Sequence, residues 1–553
     1  LPGFLPRRKH TMDARRLRRL ILGAGLLALG ACGGGNGGGG PDGGSQSVCT
    51  IDGVSVTALV TNVSPGTEVD LGANVKQGQN ATGCNGGVTW ASNPAGAITG
   101  TQPLAAKFQT STPGTYTVTG TSVDDHTKVG SVQITVRPPS TCGTPNGTVV
   151  THSGNITASD TWAGNGVTHS VTSSVRIKPG ATVTVEACAI VAVAAGQEIG
   201  VEGDTTGNVP AKLVAAGTDV DHFVTFTSAA QGQTWAGIRG YNVQSLVEMH
   251  WSGVLNAGAG APFDNAAIVM AGPGLNQAPV GVLTADQLVI GNPIGAGILL
   301  DGMAAFTPQS TALGVSGAPG HPIEMHLMAA GSIPVTQVQN STHDDALMLT
   351  SKANVTADTT LNGNIPLFIS AQVTVGQPVA GTTTTLTIQR GAVLRFASGS
   401  NLRMFFGIDG AGTGVLLATG DAARPIVFTS AAGSKNPGDW AGLLFLNSAG
   451  SQLSYVTIEY AGGDNGEVST NCRPSGSTDH AAMFVAEIPS SSFLTNSTIQ
   501  YSAGHGIDAA WKNSSNNSPD IAAGNTFNSN QGLCKQTFNG VTTGSCPSLG
   551  CTE

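Results

Sequence analysis

Charge and aromatic rings are scarce in this chain: Asp, Glu, Lys and Arg together make up 10% of its 553 residues, and Phe, Trp and Tyr only 5%. Long solvent-exposed helices draw heavily on Glu, Lys, Arg and Leu, so the composition argues against a helical fold. Familiar catalytic motifs are missing as well. There is no nucleophile elbow, no zinc-binding His-Glu-x-x-His helix and no phosphate loop. The cysteines lack the Cys-x-x-Cys spacing of a zinc site. Beyond the first thirty residues no apolar run is long enough to cross a bilayer. Basic residues are the minority, giving a formal net charge of −9, and seven of the 24 Lys and Arg fall within residues 1–31. The remainder is therefore more acidic still, which excludes nucleic acid and anionic lipid surfaces as partners.

Glycine is what the chain has in quantity, 78 residues of it. Gly33 to Gly44 is almost pure glycine and reads as a flexible tether. Before it, Arg15, Arg16, Arg18 and Arg19 follow Met12, then comes an apolar stretch from Leu20 to Leu29, then Gly30-Ala31-Cys32. That stretch has the length of a signal core and is too short to span a membrane. The order resembles the signal peptide and lipobox of bacterial lipoproteins. The resemblance implies a signal peptide over 1–31, cleavage before Cys32, and acylation of Cys32 as the membrane attachment, with a tether over 32–48. Two or three acyl chains make such an anchor stable. Gly33, where aspartate would favour inner-membrane retention, implies an outer-membrane address, facing the periplasm or the cell surface. Residues 1–11 read as lying upstream of the true start, Met12.

Eight cysteines remain besides Cys32, an even number in a chain read as exported, which implies disulfides. Cys49 and Cys84 fall within one domain, and Cys142 and Cys188 at the start of the next. Cys472, Cys534, Cys546 and Cys551 allow three pairings, all left open. Residues 49–138 carry strand-like alternation at Val69, Leu71, Ala73 and Val75, at Tyr116 and Val118, and at Val132, Ile134 and Val136. Turn signals such as Ser64-Pro65-Gly66 and Pro113-Gly114 separate them. Strands of this length and spacing suggest an antiparallel sandwich. The segments SPGTEVDLGANV, VTW and GTYTVTGTSVDDHTKVGSVQITV resemble bacterial Ig-like domains. The resemblance implies a spacer or binding module, with Asp124, Asp125 and His126 in a hairpin turn. Pro138-Pro139 marks a stiff linker.

From residue 140 onward the chain repeats itself. Phe226-Thr227-Ser228-Ala229-Ala230 returns identically at Phe428 to Ala432, and Trp235-Ala236-Gly237-Ile238 returns as Trp440-Ala441-Gly442-Leu443. Asn155 to Ala158, Ile177 to Ala181, Leu283-Thr284 and Gly297-Ile298 also return in order, at Asn354, Ile388, Leu494 and Gly506. Six collinear matches define two copies of one unit, 140–352 and 353–553. The copies consist of short apolar runs without helix caps or tight Asn-Gly hairpins, as expected of strands that stack in parallel coils. The run from Pro425 to Gly462, then Asn496 to Ile507 and Asn525 to Asn530, resembles right-handed parallel β-helix proteins of the pectate-lyase-like type. The fold class expected is all-β: an Ig-like β-sandwich followed by a duplicated right-handed parallel β-helix. About twelve to sixteen coils would extend roughly 60–75 Å. Separate β-helices or an antiparallel barrel are the alternatives to one continuous array.

Enzymes of that fold resemblance cut polysaccharides, with clustered carboxylates or with Ca²⁺ and a basic residue. The sequence offers few such clusters. Asp219, Asp221 and His222 read as a turn, because copy two has Asp421 and Arg424 there and no histidine. Asp464 and Glu467 resemble a fragment of a Ca²⁺ loop without the full pattern. Ca²⁺ is thus the single cofactor candidate, set against a reading with no metal and no cofactor. His505 and Asp508 flank a Gly-Ile step whose counterpart in copy one has Ala296 and Leu299, a divergence that makes the two candidates for ligand binding, against the plainer reading of polar surface. His343, Asp344 and Asp345 read as polar loop surface. Trp235 and Trp440 occupy equivalent positions and are candidates to stack on sugars, against the plainer reading that each packs over its coil. The sequence therefore favours a binding or structural protein with a glycan or cell-envelope ligand over a polysaccharide-degrading enzyme.

Overall fold

A computed structural model describes residues 49–553 except 59, 64, 79–83, 137–141, 143–146, 259–264, 276, 350–352, 378, 380, 405–411, 447–448, 465–480, 487–488, 511–518, 533, 540–549 and 553. The signal and lipid-attachment residues, including Cys32, lie outside these, as do Glu467, Cys472 and Cys546. Of Cys551 only the backbone is described. Among the described residues the single helix is the short 3-10 turn Leu327–Ser332, and no helix is long and apolar enough to cross a membrane.

Alternation along the first strands builds a sandwich. One four-stranded sheet orders Ile51–Ala58, Val69–Gln77, Ala105–Gln109 and Ala97–Gln102; the other orders Asn62–Val63, Val129–Val136, Gly114–Ser122 and Val88–Asn93. Val69, Leu71 and Phe108 from one sheet meet Tyr116, Val118 and Ile134 from the other in a single core. Cys49 and Cys84 are disulfide-bonded. The Tyr116 hydroxyl donates to Thr112 O at 2.8 Å. Asp124 accepts the Asn85 and Gly86 amides, and Asp125 accepts the amide and hydroxyl of Thr127, so both acids are occupied in turn hydrogen bonds.

From Val149 to Asn539 the strands pair in parallel, each coil on the next, as a right-handed parallel β-helix, and Gly550–Thr552 closes it antiparallel to Gln536–Asn539. Such crossovers are right-handed because a right-twisted strand packs back on its sheet only in that sense. One ladder runs unbroken through Val175, Ile199, Ile238, Ile268, Ile298, Ile323, Ala346, Leu367, Leu394, Phe428, Ile458, Ile499 and Phe527. All but Phe527 are buried. Because this ladder crosses residue 352 without a break, the two copies form one solenoid.

The copies do not join face to equivalent face. Phe226, the sequence partner of Phe428, belongs to a different ladder with Val191 and Val254. The ladder holding Phe428 instead continues the one holding Ile238. Copy two is therefore turned by one face relative to copy one. At the junction, outward residues of two inequivalent faces become neighbours.

Cys142, Cys188 and Cys534 are each disulfide-bonded. Asp219 and Asp421 do the same work in the two copies. Each accepts backbone amides two and three residues on, Asp221 and His222 in one, Ala423 and Arg424 in the other.

Candidate functional site

Residues between the inward positions of the long ladder point away from the core. On successive strands they are Glu324, Leu347, Phe368, Arg395 and Thr429, and then Glu459, Gln500 and Asn528. This outer column crosses the junction and carries two clusters.

The first cluster joins the copies. His321 and His343 stack with ring centroids 4.0 Å apart, and Phe368 lies against His321 at 5.3 Å. His321 Nδ1 is 2.8 Å from Asp345 Oδ1. The other Asp345 oxygen accepts from Arg395 at 3.0 Å, and Arg395 also forks onto Asp344. Asp345 is 5% exposed, which corrects the expectation of loop surface for this residue. It directly precedes the strand Ala346–Met348, and His321 from the coil before and Arg395 from two coils on offset its desolvation.

Burial opposes charge on His321, but the hydrogen bond and the attraction of Asp345, with a contribution from Glu324, outweigh it and raise its pKa above the usual value. Burial likewise opposes ionisation of Asp345, yet His321 and Arg395 hold its pKa low. Arg395 holds Asp344 low, and the hydrogen bond it donates to Asp344 leads in raising Arg395.

A pH signature follows. The contribution of His321 is complete below about pH 6.5, its unfolded value, and is lost as pH rises through the raised folded value. That of Asp345 is present above about pH 4 and lost on acidification. In a melting profile against pH, His321→Gln should shrink the fall in stability as pH rises above about 6.5. His250, raised by its hydrogen bond to Asp286, keeps a separate share. A variant profile parallel to the parent would show that His321 is not charged in the fold.

The second cluster lies in copy two. Thr429 donates to Glu459 at 2.7 Å and Gln500 donates to its other oxygen at 2.8 Å. Lys435 donates to Thr429 at 2.7 Å and lies 3.5 Å from Glu459. Next to them Tyr460 and Tyr501 stack with centroids 5.0 Å apart and planes 14° from parallel, with Lys435 over the Tyr460 ring at 5.5 Å. Both tyrosines have left-handed backbones, φ 60° and 55°. The matching residues of copy one are Asn256 and Asn292, at φ 54° and 48°. The match is structural. The amide of Asn256 donates to Gly291 O as that of Tyr460 donates to Gln500 O. The carbonyl just before each, of Leu255 or Glu459, accepts the equivalent Trp235 or Trp440 indole at 2.9 Å. Asparagine tolerates this conformation, whereas a bulky residue is strained there.

The residues singled out from sequence fare unevenly. Trp235 and Trp440 are fully buried, so neither presents a face to a sugar, and the stacking role is withdrawn in favour of packing. Asp508 is 1% exposed on the strand His505–Ala510 and is withdrawn as a surface ligand for the same reason. His505 Nδ1 accepts the Cys534 amide at 3.2 Å. Asp464 is exposed. Sequence reasoning missed Arg395, His321 and the two tyrosines. The tyrosines stand where the internal repeat has asparagine, and that mismatch was the available signal.

A family model described as a pectate-lyase like beta helix domain matches residues 353–469, within copy two. The chain matches no curated protein and no solved structure.

Proposed function

We propose that this protein is a cell-envelope lipoprotein, acylated at Cys32, that holds its β-helix out on an Ig-like spacer and binds a polysaccharide along the outer column of copy two. The observation that carries the reading is the exchange of Asn256 and Asn292 for Tyr460 and Tyr501 at the same left-handed positions. A strained tyrosine costs on the order of 1 kcal/mol more than asparagine there, and neither ring is part of the buried apolar core. The stacked rings make an apolar ledge flanked by Glu459, Gln500 and Lys435, which offer both donors and acceptors. Apolar rings with a few convergent polar groups suit a polyhydroxylated ligand. The match to a pectate-lyase like domain supports a carbohydrate as the ligand class, and the Tyr116 hydroxyl bond supports the Ig-like assignment, whose members carry such a tyrosine corner.

At the junction cluster the charge states speak against acid or base catalysis. Asp344 and Asp345 are held ionised by Arg395 and His321, the opposite of the raised pKa that a general acid needs. Arg395 is held protonated by two acids and is unsuited to act as a base. An array of bacterial and plant polysaccharides should return a ligand whose affinity falls about tenfold or more in Tyr460→Ala and Tyr501→Ala, in line with ring contributions of roughly 1 kcal/mol each plus lost area. Unchanged affinity in both variants, or no ligand in the array, would sink the reading. Release of new reducing ends or unsaturated sugars from a bound polysaccharide would replace it with a degradative enzyme.

A further inference from the structure

We propose that His321, His343 and Asp345 form a binding site for a divalent transition-metal ion of the zinc type. The donor atoms of the three residues all lie within 4.8 Å of one another. They come from adjacent coils, His321 from the approach to Ile323–Met325 and the other two from the approach to Ala346–Met348. Tetrahedral zinc at about 2.0–2.1 Å from nitrogen and oxygen needs donors about 3.3 Å apart. His321 Nδ1 and Asp345 Oδ1 are already 2.8 Å apart, so an ion would take the place of the proton they share. His343 supplies the remaining adjustment, since it is more open to solvent than Asp345 and can turn about its side-chain bonds.

The donor set selects the ion class. Two imidazoles and one carboxylate suit zinc, cobalt or nickel, whereas calcium and magnesium demand oxygen throughout. The surroundings can carry the charge. Arg395 lies 3.0 Å from the far oxygen of Asp345, which would otherwise oppose a cation, but it is also held by Asp344. Glu324 adds a further negative charge that His321 senses. Counting Asp344, Asp345, Glu324 and Arg395 with a neutral His321, a divalent ion brings the cluster to neutrality. Arg395 also orients Asp345, the outer support that metal-ligating carboxylates require. Because the ligands come from copy one and their support from copy two, occupancy would pin the junction. This site is separate from the tyrosine ledge and does not depend on the glycan reading.

The test is calorimetric titration of Zn²⁺ into tag-free full chain that has been stripped with EDTA and dialysed. One saturable equivalent with micromolar or tighter affinity is expected, accompanied by a rise in melting temperature. His343→Ala should weaken binding at least tenfold and abolish that rise, while the melting temperature of the metal-free variant stays at the parent value. Asp345→Asn, which keeps the shape, should weaken binding to a similar extent. Ca²⁺ should compete in neither protein. Absence of saturable binding, or equal affinity in parent and both variants, overturns the site.

Discussion

Trp440→Ala is expected to lower the unfolding free energy by about 3–5 kcal/mol, among the largest effects available to a single substitution in this chain. The indole is fully buried and lies on Phe396 with ring centroids 4.2 Å apart and planes 8° from parallel. Its N–H is bonded to Glu459 O. Alanine would leave a cavity that the rigid coil stack cannot collapse around, and would remove the donor from a part-buried carbonyl. Trp440→Phe separates the two terms. It restores much of the volume but not the donor, and should recover more than half of the loss. Urea denaturation read at the midpoint, with the slope checked for cooperativity, measures both. Trp235→Ala should behave alike, since its indole meets Leu255 O in the same way. A loss below about 1 kcal/mol would mean that the ring does not hold the coil. Because Glu459 directly precedes Tyr460, Trp440→Ala should also loosen the tyrosine ledge and weaken glycan binding.

Gly442→Ala should cost about 3 kcal/mol or more, although it adds one methyl group. Gly442 has φ +112°, and a Cβ there would sit 2.5 Å from Ala482 O and 3.1 Å from Ala481 O. Both atoms are backbone of the next coil, so no side chain can move aside. Gly237 is the same position in copy one, at φ +104°, and meets Ala267 O in the same way. Gly433→Ala is the control. Gly433 has open space around it and should be nearly silent. If Gly442→Ala unfolds within about 1 kcal/mol of the control, the close approach of the coils is not what requires glycine.

These two substitutions explain why the Trp-Ala-Gly step is written twice. Tryptophan fills the coil and ties the turn ahead of it, and glycine lets the next strand approach. Both needs are local to one coil and its neighbour, so they leave a sequence signature that an internal comparison can read. The same holds for Asp219 and Asp421, legible as turn residues because their task is completed within four residues. The outer column was less legible. Its register depends on coil lengths that vary from turn to turn, so His321 and Asp345 are neighbours at a separation of 24 residues and Arg395 and Asp345 at 50. No fixed spacing announces them. Asp345 looked like loop surface for that reason, and the divergence between copies that singled out Asp508 does not say whether its face is covered.

The sequence by itself determined the class of the fold and its modular order. Low charge, abundant glycine, period-two alternation and an ordered internal repeat are properties of local backbone preference and of each coil's need to bury one side. It also carries, on motif grounds alone, the resemblance from which acylation of Cys32 and the glycine tether are proposed. The tertiary structure decided how the copies meet. Pairing between copies is set by which apolar face finds the next apolar face, not by sequence equivalence, and it turned copy two by one face. That turn brings His321, His343 and Asp345 of the first copy against Phe368 and Arg395 of the second. Only the folded backbone shows that Tyr460 and Tyr501 occupy left-handed positions, because φ is set by the turn each coil must make.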